Sequence, residues 1–137
     1  MATDYANGTR KGSVYNTTAA TANQVAVTIP TDEIGDDTLI KLEAKITAVA
    51  KNNYNEGQFY WLVGLFKRDG GTLAQIGSTA SVITAIESVG GRDANFNVSG
   101  NDIQIRVSPA DTTPLTWKVD TVVDVTVGYS ANSGYVH

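Results

Sequence analysis

From Thr38 to Ala50 apolar and polar residues alternate: Ile40, Leu42, Ala44, Ile46 and Ala48 share one side, Lys41, Glu43, Lys45 and Thr47 the other. A period of two is the mark of a strand with one buried face, since a helix does not bring i and i+2 together. One long half-buried strand is therefore predicted here. Between Gln58 and Arg68 the pattern changes, with Phe59, Trp61, Val63 and Leu65 on one face and Tyr60, Leu62 and Phe66 on the other. Apolar residues on both faces predict a central strand, or one whose outer face is covered by a partner chain. The last long strand, Leu115 to Val127, sets Leu115, Trp117, Val119, Val123 and Val125 on an alternating face. Trp61 and Trp117 both share their faces with Val and Leu, which places both in the expected core.

The segments between these runs are built from turn residues. Lys51 to Gly57 is rich in Asn and Gly and reads as a hairpin loop. Arg68-Asp69-Gly70-Gly71-Thr72 predicts a tight turn, because Asp-Gly and Gly-Gly accept the positive φ that such hairpins demand. A strand resumes at Leu73 and runs towards Thr84 with a bend near Gly77, and Val89 to Asp93 is the next break. Asn95 to Val98 and Ile103 to Val107 pair across Ser99-Gly100-Asn101-Asp102, with Phe96 and Val98 on the side of Ile103, Ile105 and Val107. Ser108 to Pro114 holds two prolines that cannot donate to a ladder and reads as a connection. Gln24 to Ile29 makes a short strand ended by Pro30, and a weaker strand falls around Ser13 to Thr18.

About seven to eight strands separated by Gly, Pro, Asn and Asp turns predict an all-β antiparallel sandwich, of jelly-roll or immunoglobulin-like topology. The domain is expected over residues 24–129, between a polar arm at 1–23 and a tail at 130–137. Arg68, Asp69, Gly70, Gly71 and Gly100 are its expected turn positions, and Trp61 and Trp117 its core markers.

Composition narrows what such a domain does. At 137 residues one hydrophobic core is expected, and the absence of Cys removes disulfides, thiolate nucleophiles and Cys-based metal sites together. The net charge of −4 and the lack of a basic stripe beyond Arg10-Lys11 argue against nucleic acid. No apolar run approaches the roughly 18 residues of a membrane span, and Met1 to Tyr5 carries no secretory signal, so a product made in a cytoplasm and not bound to membrane is expected.

The candidate chemistry is sparse. A Ser-His-Asp triad needs a positioned histidine, and the sole one is His137 at the end of the sequence. Glu43, Glu87, Asp93 and Asp124 could supply a carboxylate pair for glycoside hydrolysis, yet nothing in their spacing marks a pair. Thr31 to Asp37 is the densest acidic segment and lacks the EF-hand spacing, so it reads as a solvent loop. Neither catalytic residues, nor a metal, nor a cofactor is expected. Among the aromatics, an exposed Tyr such as Tyr54 is the candidate for stacking on a sugar.

Three stretches carry a resemblance. The first joins a long strand and polar hairpin from Ile46 to Phe66-Lys67-Arg68-Asp69-Gly70-Gly71-Thr72-Leu73 and Ile76-Gly77-Ser78. The second is the hairpin from Val98 to Val107, and the third is Leu115-Thr116-Trp117-Lys118-Val119. Together they resemble a β-sandwich domain that recurs in tail-fibre, tail-spike and other virion proteins of tailed bacteriophages. The resemblance implies a non-enzymatic virion structural protein. The shortness of the chain points it towards a small capsid decoration protein or a tail or fibre accessory, binding neighbouring capsid or tail proteins as a homo-oligomer, with a trimer as the expected state. The alternative is a carbohydrate- or receptor-binding module for host attachment, which uses the same architecture.

Overall fold

The computed structural model describes residues 9–17, 23–51 and 53–128, with side chains described at 10–17, 23–51 and 56–128. Among the described residues nine strands follow one another: β1 (Thr9–Thr17), β2 (Gln24–Pro30), β3 (Thr38–Ala50), β4 (Asn53–Asp69), β5 (Thr72–Ser81), β6 (Ile86–Glu87), β7 (Asp93–Ser99), β8 (Asp102–Ser108) and β9 (Leu115–Val127). Six form one sheet in the order β1-β9-β3-β4-β5, with β6 also on β4, and three form a second sheet in the order β2-β8-β7. Every pairing is antiparallel, so the chain folds as the expected all-β sandwich.

The alternation along β3 decides which side of the large sheet is inside. Thr38, Ile40, Leu42, Ala44, Ile46, Ala48 and Ala50 are all buried, while their neighbours face out. Strand β3 lies between β9 and β4, so it is paired on both edges. At 17 residues β4 is long enough to pair with β3 along one edge and with β5 and then β6 along the other. The two-residue β6 is too short for any periodicity to announce. Strand β1, which lies inside the segment expected as an arm, pairs with β9 from Thr9↔Val123 to Thr17↔Leu115. The tail at 130–137, His137 included, falls outside the described residues.

Two turns follow from glycine. Asp69 pairs with Thr72, and the intervening Gly70 and Gly71 have φ of 58° and 80°, the two positive angles of a type I′ hairpin. Ser99 pairs with Asp102, and only Gly100 between them has positive φ, at 58°, which is the II′ pattern. The β7–β8 hairpin has the expected register, with Phe96 opposite Ile105 and Val98 opposite Ile103. Strand β5 ends at Ser81 rather than Thr84, and its bend falls at Gly77, where the β4–β5 register shifts between Val63 and Leu65.

The two layers meet in one core. Ile29, Ile103, Ile105 and Val107 of the small sheet join Ile40, Leu42, Ile46, Val119 and Val123 of the large one. Phe66 and Phe96 cross the interface with ring centroids 6.2 Å apart and planes tilted by 53°. Gly64, on the inner face of β4, makes room for that contact, since a Cβ there would lie 2.7 Å from Cδ2 of Phe96. Trp117 is fully buried and stacks with Tyr60 at 6.3 Å. The two rings flank β3, where the short Ala48 opposite Trp117 leaves space between them. The Trp117 Nε1 donates to Thr17 Oγ1 at 3.0 Å, which ties β1 to the core.

Candidate functional site

The outer face of the large sheet departs from the expectation that Trp61 belongs to the core. Burial of Tyr60, Leu62 and Phe66 turns Phe59, Trp61, Val63 and Leu65 outward, where they are half-buried. Because β4 is apolar on both faces, its own sequence does not say which row points in; the register with β3 does. Trp61 lies opposite Lys45, whose ammonium sits 4.5 Å from the centroid of the indole ring. The Trp61 Nε1 donates to Glu43 Oε2 at 2.5 Å. Ile76 opposite Leu65 and Ile86 opposite Phe59 extend the apolar row and are exposed. Beyond β3, a narrow cleft of about 50 Å³ is lined by Arg10, Glu43, Lys45, Asp120 and Val122. Lys41 pairs with Asp124 at 3.2 Å and Lys118 with Asp120 at 3.8 Å on the same face.

One end of the sandwich is organised by Arg68. Its buried guanidinium donates to the Thr31 carbonyl at 2.6 Å and lies 3.3 Å from Asp32 Oδ1 and 3.6 Å from Asp36 Oδ1. Asp36 also accepts the Gly71 N–H at 3.0 Å. Asn101 accepts the Leu73 N–H on its side chain and donates from Nδ2 to the Gly71 carbonyl, each at 3.1 Å, while its own carbonyl accepts from Thr31. The β2–β3, β4–β5 and β7–β8 loops are thereby joined. Two carboxylates of the acidic segment thus serve an arginine, and no group of three His, Cys, Asp or Glu side chains among the described residues could hold a metal ion. Beside this cluster a depression of about 370 Å³ is lined by Asp37, Thr38, Leu39, Lys67, Arg68, Asp69, Thr126 and Gly128.

The opposite end has a second buried arginine, which sequence reasoning did not find. Arg92 Nη2 meets Glu56 Oε1 at 3.0 Å and Asp111 Oδ2 at 3.5 Å, and Nε donates to the Pro109 carbonyl at 3.2 Å. The Thr113 backbone N–H holds the Asp111 carboxyl below its usual range, with Arg92 adding to the effect. Nearby, the buried Tyr60 hydroxyl donates to Glu87 Oε2 at 2.7 Å. Burial, then the bond to Glu87, pushes the Tyr60 phenol well above its ordinary range. Of the four carboxylates considered for hydrolysis, Glu87 and Asp93 both act on Tyr60 here, whereas Glu43 and Asp124 lie on the outer face of the large sheet. Tyr54, the sugar-stacking candidate, falls outside the residues whose side chains are described.

No family model and no curated protein matches the chain. Among solved structures, 91% of the chain superimposes on 27% of the tailspike protein of Acinetobacter baumannii phage AM24, with a TM-score of 0.52 and 10% identity. It also aligns, over 88% of its length and 20% of that chain, with gp49 of Acinetobacter baumannii bacteriophage Fri1, a tailspike described as a capsular polysaccharide depolymerase; the TM-score is 0.44 and the identity 16%. The chain therefore spans about a quarter of the AM24 tailspike, and at this identity the likeness is one of fold.

Proposed function

We propose that this chain is a binding module of a tail-associated protein of a tailed phage, engaging carbohydrate or another receptor on the bacterial surface. The observation that carries the reading is the fold shared over 91% of the chain with part of a phage tailspike, at a TM-score of 0.52. The strand and turn resemblance in the sequence points to the same group of virion proteins. A tailspike neighbour favours attachment over capsid decoration. The sandwich supports attachment physically as well: the Arg68 and Arg92 clusters fix the loops at both ends, leaving the outer face of the large sheet as a rigid surface on which recognition needs little reordering.

Labelled protein incubated with a panel of Acinetobacter strains, and with the same strains stripped of surface polysaccharide, tests the reading. Saturable binding that disappears on stripping is expected. Co-sedimentation with phage capsids in the absence of any cell binding would overturn it in favour of decoration. Light scattering on the same protein checks the trimeric state that a tail-associated module is proposed to adopt.

A further inference from the structure

We propose that Trp61, with Lys45, Glu43 and Arg10, forms a sugar-binding subsite on the outer face of the large sheet, selective for glycans whose residues carry carboxylates. This rests on the reading of the chain as an attachment module and goes beyond it by naming the site and the ligand class.

Three observations converge. Trp61 is turned outward, and its N–H is fixed by Glu43 at 2.5 Å, so the ring keeps one orientation without a ligand. A preset aromatic plane is what stacking on the C–H face of a pyranose requires, because those hydrogens carry partial positive charge and the indole face is electron-rich. The Lys45 ammonium, 4.5 Å from the ring centroid, already exploits that face.

The second observation bears on ligand charge. A sugar stacking on the face that Lys45 covers displaces an ammonium from its cation–π contact. A neutral sugar leaves that charge to solvent alone, whereas a carboxylate-bearing sugar gives it a direct partner. Arg10, which lines the same cleft as Lys45, supplies a second cation, and Glu43 and Asp120 offer acceptors for ring hydroxyls.

Third, the charges of the chain are unevenly spread. Arg10, Lys41, Lys45, Lys67 and Lys118, five of its ten basic residues, occupy outward positions on the large sheet. Of the thirteen acidic residues among the described residues, Glu43, Asp69, Asp120 and Asp124 do so. In a chain of net charge −4 these positions carry a net charge of +1, with Lys41 and Lys118 paired to Asp124 and Asp120, so the cations left beside Trp61 are Lys45 and Arg10, which favours an acidic over a neutral polymer there.

The test is a glycan array carrying uronate, sialate and neutral glycans, probed with wild-type protein, Trp61→Ala and Lys45→Glu, followed by titration of the best acidic glycan with tryptophan fluorescence as the readout. Binding of acidic glycans by wild type, weakened at least about tenfold in both variants and reduced by salt, is the expected result. Lys45 is exposed, so its charge reversal leaves the fold intact even if Trp61→Ala does not. Acidic-glycan binding unchanged in Lys45→Glu overturns the subsite while the attachment reading stands, and preference for neutral glycans overturns the ligand class. Absence of binding to any glycan or cell overturns the attachment reading and the subsite with it. A change of oligomeric state in Lys45→Glu without a change in glycan binding assigns the face to a second copy of the chain.

Discussion

Replacing Thr17 by Val exposes how much of the fold depends on a strand that looks polar in sequence. Trp117 is completely buried, and its N–H is satisfied by Thr17 Oγ1 at 3.0 Å, which in turn reaches the Leu115 carbonyl at 3.5 Å. Val matches Thr in shape, so packing changes little. What changes is that a buried indole N–H loses its acceptor, at a cost of about 1–3 kcal/mol. Trp117→Phe removes the donor instead and leaves a partial cavity beneath Tyr60, for a further loss of about 1–3 kcal/mol, whereas Trp117→Ala costs about 3–5 kcal/mol. In the double variant Thr17→Val/Trp117→Phe no N–H is left stranded, so the two losses fall short of additive by about 1 kcal/mol. Urea unfolding followed by tyrosine fluorescence and circular dichroism measures all three, with an unchanged m-value as the check that only stability moved. Losses that add to within about 0.3 kcal/mol would refute the claim that this bond anchors β1 to the core.

Gly64→Ala places a Cβ against the Phe96 ring at 2.7 Å and costs about 1–3 kcal/mol by overpacking, read as a lower urea midpoint. Arg68→Met removes one of three donors to the Thr31 carbonyl, which keeps the N–H groups of Ile34 and Gly35, and leaves Asp32 and Asp36 open to water, so the loss is that of a single hydrogen bond, about 1 kcal/mol; hydrogen exchange at Leu73 and Thr31 should quicken. The high-pH limb of stability carries the signature of Tyr60. Its phenol holds its proton more tightly in the folded state, so this contribution is complete below the unfolded value near pH 10. It declines as pH rises above that, by at most about 1.4 kcal/mol per pH unit. Tyr60→Phe should flatten the decline, and an identical slope in both proteins above pH 10 would count against a buried, protonated phenol.

What the sequence reveals about this fold depends on whether one strand suffices to decide. Strand β3 decides alone, because its polar row is charged and its apolar row is not. The hairpin turns at Gly70-Gly71 and Gly100 are legible because only glycine enters those φ regions without strain. Strand β4 does not decide alone, and Trp61 is the casualty: beside Val63 and Leu65 it looks like core, and the evidence that it faces out lies in Lys45 and Glu43 on the neighbouring strand. Strand β1 is half legible for a similar reason: its later part falls within the weak strand expected around Ser13 to Thr18, but its start at Thr9 and its order come from β9 and Trp117. Arg68 and Arg92 are hidden because charge predicts exposure, and burial becomes tolerable only where distant carbonyls and carboxylates converge.

That distinction also bears on where the proposed recognition surface falls. The residues that sequence reading places well, Trp117 and the turn glycines, stabilise the sandwich; the glycines answer to their adjacent residues and Trp117 to the alternation of its own strand, although its partners Thr17 and Tyr60 come from distant ones. Trp61 acquires its character from three strands at once: β4 supplies the ring, β3 supplies Glu43 and Lys45, and β1 supplies Arg10 across β9. A surface assembled from side chains far apart in sequence can be rewritten one strand at a time without touching the inward row that holds the layers together. The inward row of β3 is restricted to residues that fit beside Trp117 and the facing isoleucines, while its outward row is held by polar contacts, Lys41 with Asp124 and Glu43 with Trp61, rather than by packing in the core. On the proposed reading as an attachment module, a rigid sheet whose outer row lies apart from the core suits recognition of a surface polymer, and the Arg68 and Arg92 ends remain to fix the loops.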